Sequence, residues 1–208
     1  MKKEQDYIRD ITEIRSMMEK SSKFMSLSGW AGIMAGIYAL SAAYIAYFVY
    51  GFSPDEIIYE SPFAGSLISD FSELMILALI VLAVSLFTAI FFSWRTANVK
   101  GDKIWNTTSK RLLSEMAIPF ITGGILIIIF VLHNLIGLIA PAMLLFYGLA
   151  LISASRFTIV EVKFLGLIQI ALGLISAYFI AYGLLFWAIG FGIAHIVYGI
   201  YMYFRYER

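Results

Sequence analysis

The sequence predicts an all-α polytopic membrane protein: a bundle of six transmembrane helices preceded by an amphipathic cytoplasmic helix. Three observations predict it. Apolar residues make up 61% of the 208 and charged residues 14%, where an ordinary soluble domain has about 45–50% and about 25%. The charges are gathered into a few segments, and the stretches between them run long enough without one to cross a bilayer. Drawn with six spans, the chain also places all fifteen lysines and arginines on a single side, a sorting that another span count would scatter.

Residues 1–26 form the first unit. Tyr7, Ile11, Ile14, Met18, Ser21 and Met25 repeat at alternating steps of four and three and line one face of a helix. Six bases and five acids share this segment, so it lacks the strongly basic face that anionic lipid favours. Packing against the bundle, a second copy or another cytoplasmic protein fits it better. The mixed charges and the missing small-residue cleavage site do not fit a cleavable signal peptide.

Residues 27–208 form the membrane unit. The apolar runs predict spans at about 28–50, 74–94, 116–133, 135–154, 162–180 and 183–204. His133 and Asn134 alone separate the third from the fourth, and Ala181 and Tyr182 the fifth from the sixth, so both pairs are tight helical hairpins. The loop after span two carries Arg95, Lys100, Lys103, Lys110 and Arg111. Trp105, Leu112 and Leu113 give that loop an interfacial character. Asp55, Glu56, Glu60, Asp70 and Glu73 lie on the opposite side, where the 51–72 loop also holds Pro54 and Pro62. Both termini are therefore expected in the cytoplasm of a bacterial inner membrane. Shifting span one by 134 residues pairs Gly32 with Gly166, Leu40 with Leu174, Ala43 with Ala177 and Tyr44 with Tyr178, the pattern a parallel internal repeat would leave.

Few polar groups lie deep in the spans. No Asp, Glu, Lys or Arg falls near a span centre, which speaks against a carrier driven through a buried carboxylate, a retinal Schiff base and a voltage sensor. His195 sits midway along span six with Gln169 at similar depth, and Ser41, Ser85, Thr88 and Thr122 are roughly level. Tyr198 follows His195 by one turn. Pro141 interrupts span four and can kink it, exposing a carbonyl at a pocket wall. His195, Gln169, Pro141 and Tyr198 are thus the candidate ligand-binding residues. The alternative for His195 is plain interhelical hydrogen bonding. Gly32, Gly36 and Ala43 are small residues at helical spacing and mark a packing or homodimer seam. With no cysteine, and with His133 at a turn far from His195, no metal site or resident cofactor is expected within one chain. Asn106-Thr107-Thr108 matches a glycosylation sequon on the wrong side of the membrane.

The runs Ala140-Pro141-Ala142-Met143-Leu144-Leu145-Phe146-Tyr147-Gly148 and Gly190 to Gly199, with Tyr203, Arg205, Tyr206 and Glu207, resemble a family of bacterial six-span membrane proteins with no assigned activity. The resemblance covers most of the chain. It implies a bacterial inner membrane and no reaction.

The expected function is binding or transport of a small neutral or hydrophobic ligand inside the bundle, with no nucleophile–base pair to suggest an enzyme and no nucleic-acid partner. The alternatives are a scaffold or regulatory subunit acting through residues 2–25, and a haem protein pairing two His195 across a dimer.

Overall fold

The structure is a computed structural model that describes residues 27–52, 67–101 and 105–208, with the backbone alone for 67–71 and Lys100. The expected amphipathic helix at 2–25 and most of the acidic 51–72 loop lie outside the described residues. Six helices long and apolar enough to cross a membrane follow in order. They are α1 (Gly29–Val49), α2 (Leu67–Lys100), α3 (Thr107–Leu132), α4 (Ile136–Ala154), α5 (Glu161–Tyr178) and α6 (Ile180–Glu207).

Two of these exceed their apolar runs. α2 and α3 continue through Arg95, Lys100, Lys110 and Arg111, residues expected in a loop. Lysine and arginine are good helix formers, and a helix leaving the hydrocarbon has no reason to stop at its edge. The start of α3 is fixed by a capping box. The Asn106 side chain accepts from the Ser109 backbone N–H at 2.8 Å, and Ser109 Oγ accepts from the Asn106 backbone N–H at 2.9 Å. The sequon-like triplet is thus a helix start. Lys110 also lies 5.7 Å over the exposed Trp105 ring.

The two hairpin turns are as short as expected. α3 ends in a Schellman motif: Leu135 N–H reaches Phe130 O at 2.8 Å, and Asn134 N–H reaches Val131 O at 3.1 Å. Asn134 takes the left-handed conformation this motif needs, at φ 55°. Asparagine is one of the few residues other than glycine that adopts it readily. Ile136–Leu138 then makes a single tight turn into α4. Ile180–Tyr182 makes the corresponding tight turn at the start of α6.

Packing divides the six helices into four inner and two outer. α4 and α5 pair antiparallel, as do α1 and α6, and these pairs join along α4, α5 and α6. α3 lies on the outside of α4 and α2 on the outside of α1. Only 6% of the apolar window of α2 or α3 is buried, against 39% for α4 and α5, so the outer two present most of their surface to lipid.

Glycine sets both inner pairs. Apolar attraction between helices is weak in hydrocarbon, so close backbone approach must supply the packing. A Cβ on Gly148 would sit 2.7 Å from Gly166 O, and one on Gly166 would sit 2.8 Å from Gly148 O. The same reciprocal contact joins Gly29 and Gly199, where a Cβ on Gly199 would lie 2.5 Å from Gly29 O. Gly32 and Gly36 belong to this second seam: a Cβ on Gly36 would meet Gly192 O at 2.6 Å. The small-residue stripe is therefore closed by α6 of the same chain. Gly32 and Gly166, matched by the 134-residue shift, both lie at such crossings. Glycine at Gly36, whose counterpart is Ile170, answers to packing alone.

Candidate functional site

The polar groups of the inner helices gather on one carbonyl. α6 widens into a π-helical stretch over Ala188–Ala194, an irregularity that often accompanies functional sites because it frees backbone groups from the helical ladder. Gly190 O, inside this stretch, accepts from Gln169 Nε2 at 2.7 Å and faces His195 Nδ1 at 2.9 Å. A carbonyl can only accept, so Nδ1 carries the proton. The other ring nitrogen, Nε2, lies 2.7 Å from Tyr147 OH. A neutral imidazole then accepts there, and the tyrosine donates. Gly190 has no side chain because a Cβ would stand 2.6 Å from Gln169 Oε1 and 2.5 Å from Leu144 Cδ2.

This arrangement binds α4, α5 and α6 together. Tyr147 comes from α4, Gln169 from α5, and Gly190 and His195 from α6. His195 and Gln169 are buried at 6% and 0% exposure. Both histidine nitrogens are engaged inside the chain. Among the described residues, the hydrogen-bond path from Nδ1 ends on the Gly190 carbonyl. Ser41 and Thr122 do not join the layer: both are exposed, and Thr122 Oγ1 is bonded to Ile118 O of its own helix. Thr88 is buried, within 3.4 Å of Tyr38 OH at the α1–α2 contact.

Tyr198 lies in the same inner core, packed with Tyr147 and Tyr206 against Leu151, Val162, Leu165 and Met202. Its hydroxyl is buried without a hydrogen-bond partner among the described residues, as are Gln169 Oε1, Ser176 Oγ and Glu161 Oε2. The other Glu161 oxygen accepts from Tyr206 OH at 2.8 Å and pairs with Arg205 Nε at 3.4 Å. Glu207 Oε1 accepts the Gly29 backbone N–H. The end of α6 thereby ties down the starts of both α1 and α5.

Pro141 is placed differently from its sequence reading. It is the third residue of the regular part of α4, Ile139–Ala154, where a backbone N–H has no helical acceptor to lose. It therefore need not kink the span. Among the described residues, the proline inside a regular helix is Pro119, in α3, which the sequence did not single out.

A separate cavity of about 130 Å3 opens at the other end of the bundle. Its walls come from the last turns of α1 (Ala42, Ala43, Ala46), one face of α2 (Leu74, Leu77, Ala78), the start of α4 (Ile136, Ala140, Met143) and the start of α6 (Ile180, Gly183, Trp187). Among the described residues that line it there is no charged, hydroxyl or amide side chain, and the indole of Trp187 carries the N–H donor. His195, Gln169, Tyr198 and Pro141 do not line it, whereas Ala43, expected at a seam, does. Phe191 bridges the two regions: its ring lies 5.4 Å from Trp187 on one side and 5.1 Å from Tyr147 on the other.

No family model, curated protein or solved structure matches this chain. What the two regions can do follows from their own chemistry. The polar cluster has its strongest donors and acceptors paired internally. The cavity has space and, among the described residues, no charged, hydroxyl or amide side chain in its walls. Sequence reasoning missed Tyr147 and Gly190 as partners and missed the cavity altogether. Tyr147 stood in the run quoted for the resemblance, but nothing marked its hydroxyl as facing His195. The cavity arises where four helix ends diverge, and no motif announces that.

Proposed function

We propose that the protein binds a small neutral or hydrophobic ligand inside its membrane bundle, in the cavity between α1, α2, α4 and α6. The observation that carries this is the cavity itself: about 130 Å3 with apolar walls. An apolar cavity of about 150 Å3 stays dry and accepts a benzene-sized guest or xenon, because water has nothing there to bond. A polar guest would lose its hydrogen bonds on entering. The ligand site thus moves from the His195 layer to the neighbouring cavity, and the Tyr147–His195–Gly190–Gln169 cluster becomes the support that fixes α6 behind it. Native mass spectrometry of protein released gently from detergent tests this. A discrete added mass on the wild type, lost in Gly183→Leu, is the expected result; bare protein in both would oppose it. A Cβ at Gly183 meets nothing closer than 3.5 Å, so the side chain can point into the space without disturbing the backbone.

We place the chain in a bacterial cytoplasmic membrane with both termini in the cytoplasm, on the strength of the one-sided lysines and arginines. Single cysteines introduced into this cysteine-free chain test it. Tyr50→Cys should react with an impermeant thiol reagent from outside intact cells and Arg208→Cys should not; the reverse would invert the topology.

A further inference from the structure

We infer that the guest of the cavity is a segment of a membrane-lipid hydrocarbon chain, admitted sideways from the bilayer past α2. This rests on the reading that the cavity takes an apolar ligand, and it adds where that ligand comes from.

Depth is the first argument. Ala42 to Ala46 lie 13 to 17 residues beyond the start of α1 at Gly29. At ~1.5 Å per residue that is roughly 20–25 Å into a hydrocarbon core of ~30 Å. The cavity therefore faces acyl chains of the leaflet at the base-poor end. Acyl-chain segments of that leaflet are level with the inner walls of the cavity.

Access is the second. Among the described residues α2 packs on α1 and makes no comparable contact with α4 or α6. Leu74, Leu77 and Ala78, spaced as one helix face, look into the cavity, and Ile76, Leu79 and Ile80 on the other faces are exposed. The α2 wall is thus held from one side only, and the cavity is partly open. Among the described residues, no packed seam between α2 and α4 separates the cavity from lipid.

Chemistry and size are the third. Among the described residues, the walls offer no charged, hydroxyl or amide side chain to a headgroup, a phosphate or a sugar. A space near the size of benzene takes a short length of chain and leaves the rest of the lipid in the bilayer. The guest needs no escape from the membrane, only a local bend.

Trp187 is a reporter already in the wall. The test replaces Trp30, Trp94 and Trp105 with Phe in the full chain and reconstitutes it into phosphatidylcholine vesicles whose acyl chains are brominated at carbons of matching depth. Bromine quenches tryptophan on contact. The expected result is strong quenching of Trp187 that falls at least twofold when the space is filled by Gly183→Leu or, from the opposite wall, by Ala78→Phe. Two variants are used so that one that fails to fold does not decide the outcome. Quenching unchanged by both fillings would mean that lipid touches Trp187 from outside, and would overturn the inference. Failure to quench with brominated chains, with saturable quenching by free bromobenzene that filling abolishes, would also overturn it while leaving the cavity a site for small soluble guests. Failure of both probes would overturn the inference and the proposed function together.

Discussion

The two halves of this bundle differ in what holds them. At the base-rich end and centre, helices touch backbone to backbone at Gly29–Gly199 and Gly148–Gly166, and side chains close hydrogen bonds on Gly190 O and Glu161. At the base-poor end, the same helices diverge around alanines and one unpaired face of α2, leaving space. Among the described residues, the hydrogen-bonded cluster lies where the packing is tight, and the walls of the cavity carry no charged, hydroxyl or amide side chain. That is the arrangement a hydrophobic site needs. A cavity with hydrogen-bonding walls would fill with water, and a polar cluster without close helices would leave its groups unpaired.

The largest expected effect comes from breaking the tight half. Gly199→Val would drive a branched side chain into Gly29 O and Ile33 N, which stand 2.5 and 2.6 Å from its Cβ position. Both are backbone atoms and cannot swing away. A loss at or beyond the upper end of the about 1–3 kcal/mol usual for overpacking is expected, read as a collapsed melting temperature in detergent. A smaller loss is expected from Tyr147→Phe. It leaves His195 Nε2 without its donor in a buried site, a cost of about 1–2 kcal/mol. Gln169→Leu should cost less than Tyr147→Phe, because it removes one bond to Gly190 O but also removes the unpaired Oε1. A Gln169→Leu variant less stable than Tyr147→Phe would mean that Oε1 has a partner, such as a buried water. The smallest stability effect is expected in the hollow half. Gly183→Leu should leave the melting temperature unchanged or slightly raised while removing ligand binding, since it fills space and lowers backbone freedom in the unfolded chain. A large destabilisation there would mean that the space is not free.

Much of the fold was legible in the sequence. Six spans, two tight hairpins and the glycine seam follow from hydropathy, turn residues and spacing, because each is a local consequence of the bilayer as solvent. The lengths of α2 and α3 were not, since charged residues beyond the apolar run continue a helix as readily as they form a loop. His195 and Gln169 could be recognised as a pair at one depth. Their meeting point could not, because it is a backbone carbonyl released by a π-helical stretch, and carbonyls have no letter in a sequence. Pro141 was misjudged for a related reason. A proline disturbs a helix only beyond its first turn, and Pro141 falls in the first turn of the regular helix Ile139–Ala154, just after the tight turn at Ile136–Leu138.

The most direct measurement is X-ray diffraction from crystals pressurised with xenon, which settles only in dry apolar space. The account predicts an anomalous peak among Ala43, Ala140, Gly183 and Trp187, absent in Gly183→Leu, and none beside His195 and Gln169. Xenon beside His195, or none between α1, α2, α4 and α6, would contradict it.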